Sequence, residues 1–336
     1  MLSVSRASRA RAIASAAAVG GAGLVGAGGA IYGLLLGQTR LARRRIGQPV
    51  DGPLDADGVY SAEGDSASEG TDDTGDDGSA VVSLVLLGDS GAAGFGVETP
   101  GQTTGAVTAI GLSRAVGRPV RLTSLAAVGA QSGDLRGQID RMDEQWPDLA
   151  LIIIGANDVT HRVPPGRSVA LLTAAIKRLQ QHGVQVVVGT CPDLGTVRPI
   201  PHPLRFVARR WSRSLAAAQM VATAEAGARA IALADLLGAE FDAHPDTMFG
   251  PDRFHPSSEG YRALAEALVP SLADALGVTS TPIAETTSLD LATAAAEAAE
   301  IAGAEVTADA GSRLRGLLRL RRGSSGQSAR AEPSDV

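Results

Sequence analysis

Four short segments of this chain carry residues that could act together in acyl chemistry: Gly88-Asp89-Ser90, Ala126-Ala127-Val128-Gly129-Ala130, Gly155-Ala156-Asn157-Asp158 and Asp252-Arg253-Phe254-His255-Pro256. A serine hydroxyl is a poor nucleophile until a base takes its proton, and histidine does this near neutral pH. Ser90 followed by the small residues GAAGFG reads as a serine at the exit of a strand, close to a helix N-terminus where anionic charge is favoured. His255 is the candidate base. Asp252, three residues before it, is the carboxylate that could fix its tautomer and stabilise the imidazolium. Gly129 permits close backbone approach, so its N–H can point at a substrate oxygen. The Asn157 amide is a neutral donor suited to an oxyanion.

Each segment also has a plainer reading. Gly-Asp-Ser can be a polar turn, Asn-Asp a turn or cap, and Asp-x-x-His a loop with a capping acid. Asp158 is expected to brace its loop. His244, Asp246, Asp252 and His255 match no zinc spacing, so no metal and no cofactor is expected. Cys191 is the one cysteine, which excludes an internal disulfide and a thiolate-only zinc site. It follows a buried strand and reads as a small hydrophobe, although a Cys–His site is conceivable. His161, His182 and His202 read as surface residues.

The elements that would position these segments are legible from residue 80 onward. Val81–Leu87, Val120–Leu125, Leu149–Ile154, Val184–Val188 and Ala230–Ala234 are short apolar runs, as expected of strands buried on both faces. Between them lie helical patterns, such as Val169, Leu172, Ile176 and Leu179, and later Tyr261, Leu264, Leu268 and Leu272. Alternating strands and helices predict a parallel α/β sheet covered on both sides, with chemistry beyond the carboxyl ends of the strands. The four segments follow such runs or precede the last helix.

In this order the segments strongly resemble the SGNH (GDSL-type) hydrolase family, whose motifs are GDS, a glycine loop, GxND and DxxH. The resemblance spans about residues 80–276. It implies a flavodoxin-like, three-layer α/β/α fold and a serine esterase working through an acyl-enzyme. Ser90, Asp252 and His255 would form the triad. Ser90, Gly129 and Asn157 would form the oxyanion hole. The glycine loop here, SLAAVG, lacks the asparagine that often opens it. The implied substrate is a short-chain ester of a lipid or cell-envelope glycan. The alternative is an acyltransferase using the same triad on a sugar or glycerol acceptor.

The flanks read differently. Ile13–Leu36 carries no charge and lies between arginines, long enough to cross a bilayer, so residues 1–47 read as an uncleaved signal anchor. The expected partner is therefore the membrane, through this N-terminal helix, with the enzyme on the extracytoplasmic side. Residues 48–79 contain no basic residue and are rich in Gly, Ser, Asp and Glu, as a flexible acidic linker would be. Residues 277–336 read as an Ala-rich, then basic, largely disordered tail. Net charge is -6 and the central region is not basic, which argues against nucleic acid. Pro199–Pro203 begins a substrate-side loop. Arg205, Phe206, Arg209, Arg210 and Trp211 beyond it read as an amphipathic helix with an exposed Arg face, or as a surface for an anionic or glycan substrate.

Overall fold

The computed structural model describes residues 33–42, 44–46, 52–64, 66–67, 80–142, 145–278, 283–290, 305–309 and 312–321. Five strands form the parallel centre: β3 (Val82–Gly88), β4 (Val120–Ser124), β5 (Leu149–Ile153), β6 (Gln185–Gly189) and β7 (Arg229–Ile231). Their spatial order is β4-β3-β5-β6-β7, with every neighbouring pair parallel. The first strand of this set therefore lies between the second and the third. The direction of winding reverses there, and a crevice opens beyond the strand ends.

Side chains alternate across β3. Leu84 and Leu86 face one layer, while Val85 and Leu87 face the other, and all four are buried. The first layer contains the helices Thr104–Val116 and Ser258–Ala275, through Leu112, Tyr261, Leu264 and Leu268. The second contains Leu135–Ile139 and Pro165–Gln181, through Leu172, Ile176 and Leu179. This is the three-layer architecture expected from the alternating pattern. Both long helices of the first layer begin on caps that their sequence supplies: Thr103 accepts from Ala106 N–H and Ser257 from Gly260 N–H. β7 is shorter than its apolar run, because the helix Leu233–Ala243 follows at once, with Ala232 at its N-cap position.

Both flanks depart from the sequence reading. Within residues 48–79, β1 (Gly58–Tyr60) pairs antiparallel with β4, and β2 (Ser66–Ala67) pairs with β1. With Ala56, Tyr60 brings apolar surface from an otherwise acidic segment into the core. It is 3% exposed within the core, and its hydroxyl donates to Ala56 O at 2.7 Å. Asp57 accepts from Ser124 N–H at 2.7 Å, so one of the acidic residues makes a structural contact. Within residues 277–336, β8 (Ile283–Asp290), β9 (Glu305–Asp309) and β10 (Ser312–Arg321) extend the sheet antiparallel from β7, in the order β7-β9-β10-β8. Leucines and arginines alternate through much of LRGLLRLR, which gives β10 the period of two that a strand needs.

Residues 1–32 of the expected anchor lie outside the described residues. Among the described residues no helix is long and apolar enough to cross a membrane. Residues 33–42 and 44–46 are helical and lie against the domain. The Gln38 side chain donates to His202 O and accepts from Leu204 N–H at 2.9 Å, and Ala42 is buried.

Candidate active site

The nucleophile candidate stands where β3 ends. Gly88 has φ 134, and a Cβ there would lie 1.9 Å from Ile153 O on the neighbouring strand, so only glycine fits. Asp89 caps the short helix Ser90–Ala93 by accepting from Gly91 N–H at 3.0 Å. Ser90 is thus the first residue of that helix, where the backbone N–H has no intrahelical acceptor. Gln138 clamps the strand end: its Oε1 accepts from Gly88 N–H and its Nε2 donates to Gly88 O, both at 2.8 Å.

His255 arrives from the opposite end of the sequence. Its Nε2 lies 2.9 Å from Ser90 Oγ, and its Nδ1 lies 2.6 Å from Asp252 Oδ2. A carboxylate can only accept, so Nδ1 carries the proton and Nε2 accepts from the serine hydroxyl. The other Asp252 oxygen, Oδ1, accepts from the N–H groups of Phe254 (2.9 Å) and His255 (3.0 Å). Asp252 therefore shapes the loop and holds the ring. Arg253, with φ 55, makes the left-handed turn between them. Phe95 and Phe254 each meet the His255 ring edge-on at 4.8 Å, and Tyr261 Oη donates to Phe95 O at 2.8 Å. Ser90 and His255 are each 8% exposed.

Electrostatics separates the two acids. Burial acts to raise the Asp252 carboxyl, but the hydrogen bonds from His255 and Phe254 N–H outweigh it and hold the pKa below the usual value. Asp89 is pushed up to about 6, chiefly by burial, against the Gly91 hydrogen bond and the attraction of His255.

The two oxyanion candidates lie beyond the flanking strands, Gly129 in the loop after β4 and Asn157 in the short helix Ala156–Thr160 after β5. Gly129 has φ 82, with open space where a side chain would stand. The half-buried Asn157 side chain makes no hydrogen bond among the described residues, which leaves its amide available. Asp158, fully buried, accepts from Ser132 N–H and Oγ at 3.1 Å, and Ser132 Oγ meets Ser168 Oγ at 2.8 Å. This ties the segment after Gly129 to the short helix that carries Asn157, which is the bracing expected of Asp158. Gly155 precedes Asn157 with φ 136, and a Cβ there would meet Cys191 Cβ at 2.8 Å.

Cys191 is buried, and burial first, then Asp89, Asp158 and Asp193, push its thiol well above the usual value. A thiol so placed is not a thiolate nucleophile. Its backbone N–H donates to Gln219 Oε1 at 2.7 Å, while Gln219 Nε2 donates to Ile154 O at 3.0 Å. Gln138 and Gln219, each locking a strand end at the site, are invisible to motif reading. The one signal available is a polar residue within an apolar helical face. Among the arginines of the helix Leu204–Glu225, Arg209 and Arg213 reach the buried Asp193 carboxylate at 3.1 and 2.9 Å. Arg205 donates to Ile200 O at 2.8 Å, so much of this cluster is structural rather than free for an anion. His161, His182 and His202 are exposed, and His182 stacks on Trp146.

Residues 86–263 match the GDSL-like Lipase/Acylhydrolase family. The GDSL-like esterase Rv1075c of Mycobacterium tuberculosis is 40% identical over 245 residues, covering 72% of this chain and 77% of its own. Among solved structures, TesA aligns with 19% identity and a TM-score of 0.45, covering 57% of this chain and 99% of TesA. A mutant form of Axe2, an acetyl-xylooligosaccharide esterase of Geobacillus stearothermophilus, aligns with 20% identity and a TM-score of 0.44, covering 56% of this chain and 92% of Axe2. On the family match and the 40% identical esterase, the chain belongs to the GDSL-like lipase/acylhydrolase family and is a carboxylic ester hydrolase.

Proposed function

We propose that the chain cleaves acyl esters through an acyl-enzyme on Ser90, with His255 as general base and acid and Asp252 as its orienting partner. The observation that carries this reading is the continuous relay from Asp252 Oδ2 through His255 to Ser90 Oγ, at 2.6 and 2.9 Å. Oγ forms a bond to the acyl carbon as its proton passes to Nε2, and the carbonyl pair moves onto oxygen. That oxyanion is received by the backbone N–H groups of Ser90 and Gly129 and by the Asn157 amide. Collapse breaks the bond to the alkoxy oxygen, which leaves with the proton from Nε2. Water then repeats the sequence on the acyl-enzyme and releases the acid.

The substrate class we propose is a short-chain ester of a lipid or cell-envelope glycan. The space bounded by Ser90, His255 and Leu194 is about 80 Å³, room for a small group. Purified full-length protein should hydrolyse p-nitrophenyl acetate and be labelled on Ser90 by a fluorophosphonate. Undiminished turnover in Ser90→Ala would sink the assignment. If a sugar or glycerol acceptor diverts most product from free acid to ester, the site is a transferase. On sequence grounds we also propose that the uncharged stretch from Ile13, ahead of the helix that packs on the domain, tethers the enzyme, with the catalytic domain outside the cytoplasmic membrane. The full chain should then pellet with membranes and a chain lacking residues 1–47 should not. Protease accessibility on intact cells reads its side.

A further inference from the structure

An apolar groove of about 600 Å³ lies beside the catalytic residues: Asn157 lines it, and Leu194 and Phe254 line both it and the small space at Ser90. Leu204 and Ala208 form one side. The other side is the N-terminal helical segment, through Leu35, Ala42 and Ile46. That segment lies outside residues 86–263, the part of the chain that matches the family. It is seated by defined bonds: Gln38 both donates to His202 O and accepts from Leu204 N–H, and Arg45 donates to Pro199 O.

We infer that this groove receives the acyl chain of the ester, and that the N-terminal segment is a specificity wall added to the family's core. The inference rests on the serine-esterase reading above and extends its acyl range beyond the small space at Ser90. Its direction follows from the chemistry. His255 Nε2 must face the alkoxy oxygen in order to protonate it, whereas Asn157 serves the carbonyl oxygen. The groove is lined by Asn157 and not by His255, so it lies away from the leaving alkoxy oxygen and continues from the acyl side of the ester. His161 and Arg162 also line the groove, but most of its wall is leucine, isoleucine, valine and alanine, which favours methylenes over hydroxylated glycan.

The test is the ratio of kcat/KM for p-nitrophenyl octanoate to that for p-nitrophenyl acetate, measured on full-length protein. Misfolding lowers both values together and leaves their ratio unmoved. Ala208→Trp fills the groove and Gln38→Ala unhooks the wall. Each should lower the ratio, Ala208→Trp by about 10-fold, a fraction of what full burial of the added methylenes could give. A ratio within about twofold of wild type in Ala208→Trp overturns the groove, since a filled site must cost more than that. An unchanged ratio in Gln38→Ala overturns the wall. Length dependence in alkyl acetates but not in the acyl series overturns the acyl assignment. Absence of wild-type turnover on p-nitrophenyl acetate would instead strike the serine-esterase reading itself.

Discussion

The two halves of the relay are positioned by different physics. Ser90 is held by the sheet. Gly88 is the last residue of a buried central strand, packed against Ile153 O and clamped on both its N–H and its C=O by Gln138. His255 is held by a loop that organises itself: Asp252 accepts two backbone N–H groups and the imidazole, and Arg253 makes the tight turn. The proposed nucleophile's position is thus a property of the whole fold, while the proposed base's position is largely a property of four consecutive residues. Disturbing the first should show in folding as well as in rate. On the second side, one carboxylate carries both roles.

The largest expected effect separates chemistry from folding altogether. Ser90→Ala removes the proposed nucleophile without touching the clamp, so kcat should fall by about ten-thousand-fold or more with little change in Tm. Steady-state kinetics beside a thermal melt checks this, and a large loss of Tm would mean the hydroxyl is also a structural contact. Next come two substitutions at Asp252. Asp252→Ala and Asp252→Asn should both lower kcat by roughly a thousandfold to ten-thousandfold, because the imidazole loses its tautomer and its counter-charge. They should differ in stability. Asparagine keeps an oxygen for the Phe254 and His255 N–H groups, whereas alanine leaves them unpaired at a cost of about 1–3 kcal/mol. Equal melting temperatures for the two variants would break the view of a self-organised loop.

Gln138→Leu probes the sheet-held side. It leaves Gly88 N–H without its acceptor in a buried strand, which should cost about 1–3 kcal/mol. Because Ser90 is two residues away, kcat should also fall, by about tenfold, through misplacement of Oγ. Unchanged kcat with lowered stability would separate the clamp from catalysis. The sequence makes one side of the comparison readable and hides the other. Ser90, Asn157, Asp252 and His255 announce themselves because their chemistry is confined to short local strings. Gly88 and Gly155 are readable as turn residues, although their steric reason, Ile153 O and Cys191, lies on other strands. Gln138 and Gln219 are not readable, because a glutamine in a helix gains its meaning only from the strand end packed against it. The same limit applies to Tyr60, which turns part of an acidic segment into a strand of the sheet by filling a core formed elsewhere.

The smallest expected effect tests the comparison through acid. Asp252 has a folded-state pKa below its unfolded value, so its contribution to stability is present above the unfolded pKa. That contribution is lost as pH falls through the folded one. Asp89 has the opposite sign. Its folded pKa is raised from 3.8 to about 6, so the folded protein binds the extra proton. Its contribution is complete below 3.8 and is lost as pH rises through about 6. Asp89→Asn keeps the oxygen that accepts from Gly91 N–H but cannot ionise. Relative to wild type, this variant should therefore gain stability as pH rises across that window, by roughly 1–3 kcal/mol at neutrality. Asp252→Asn should behave in reverse, losing its disadvantage only in strong acid. Denaturant midpoints from about pH 3 to 7 would read both. If the Asp89→Asn difference is flat with pH, burial is not what sets that carboxyl. The strand-end side would then be no drier than the loop that carries His255.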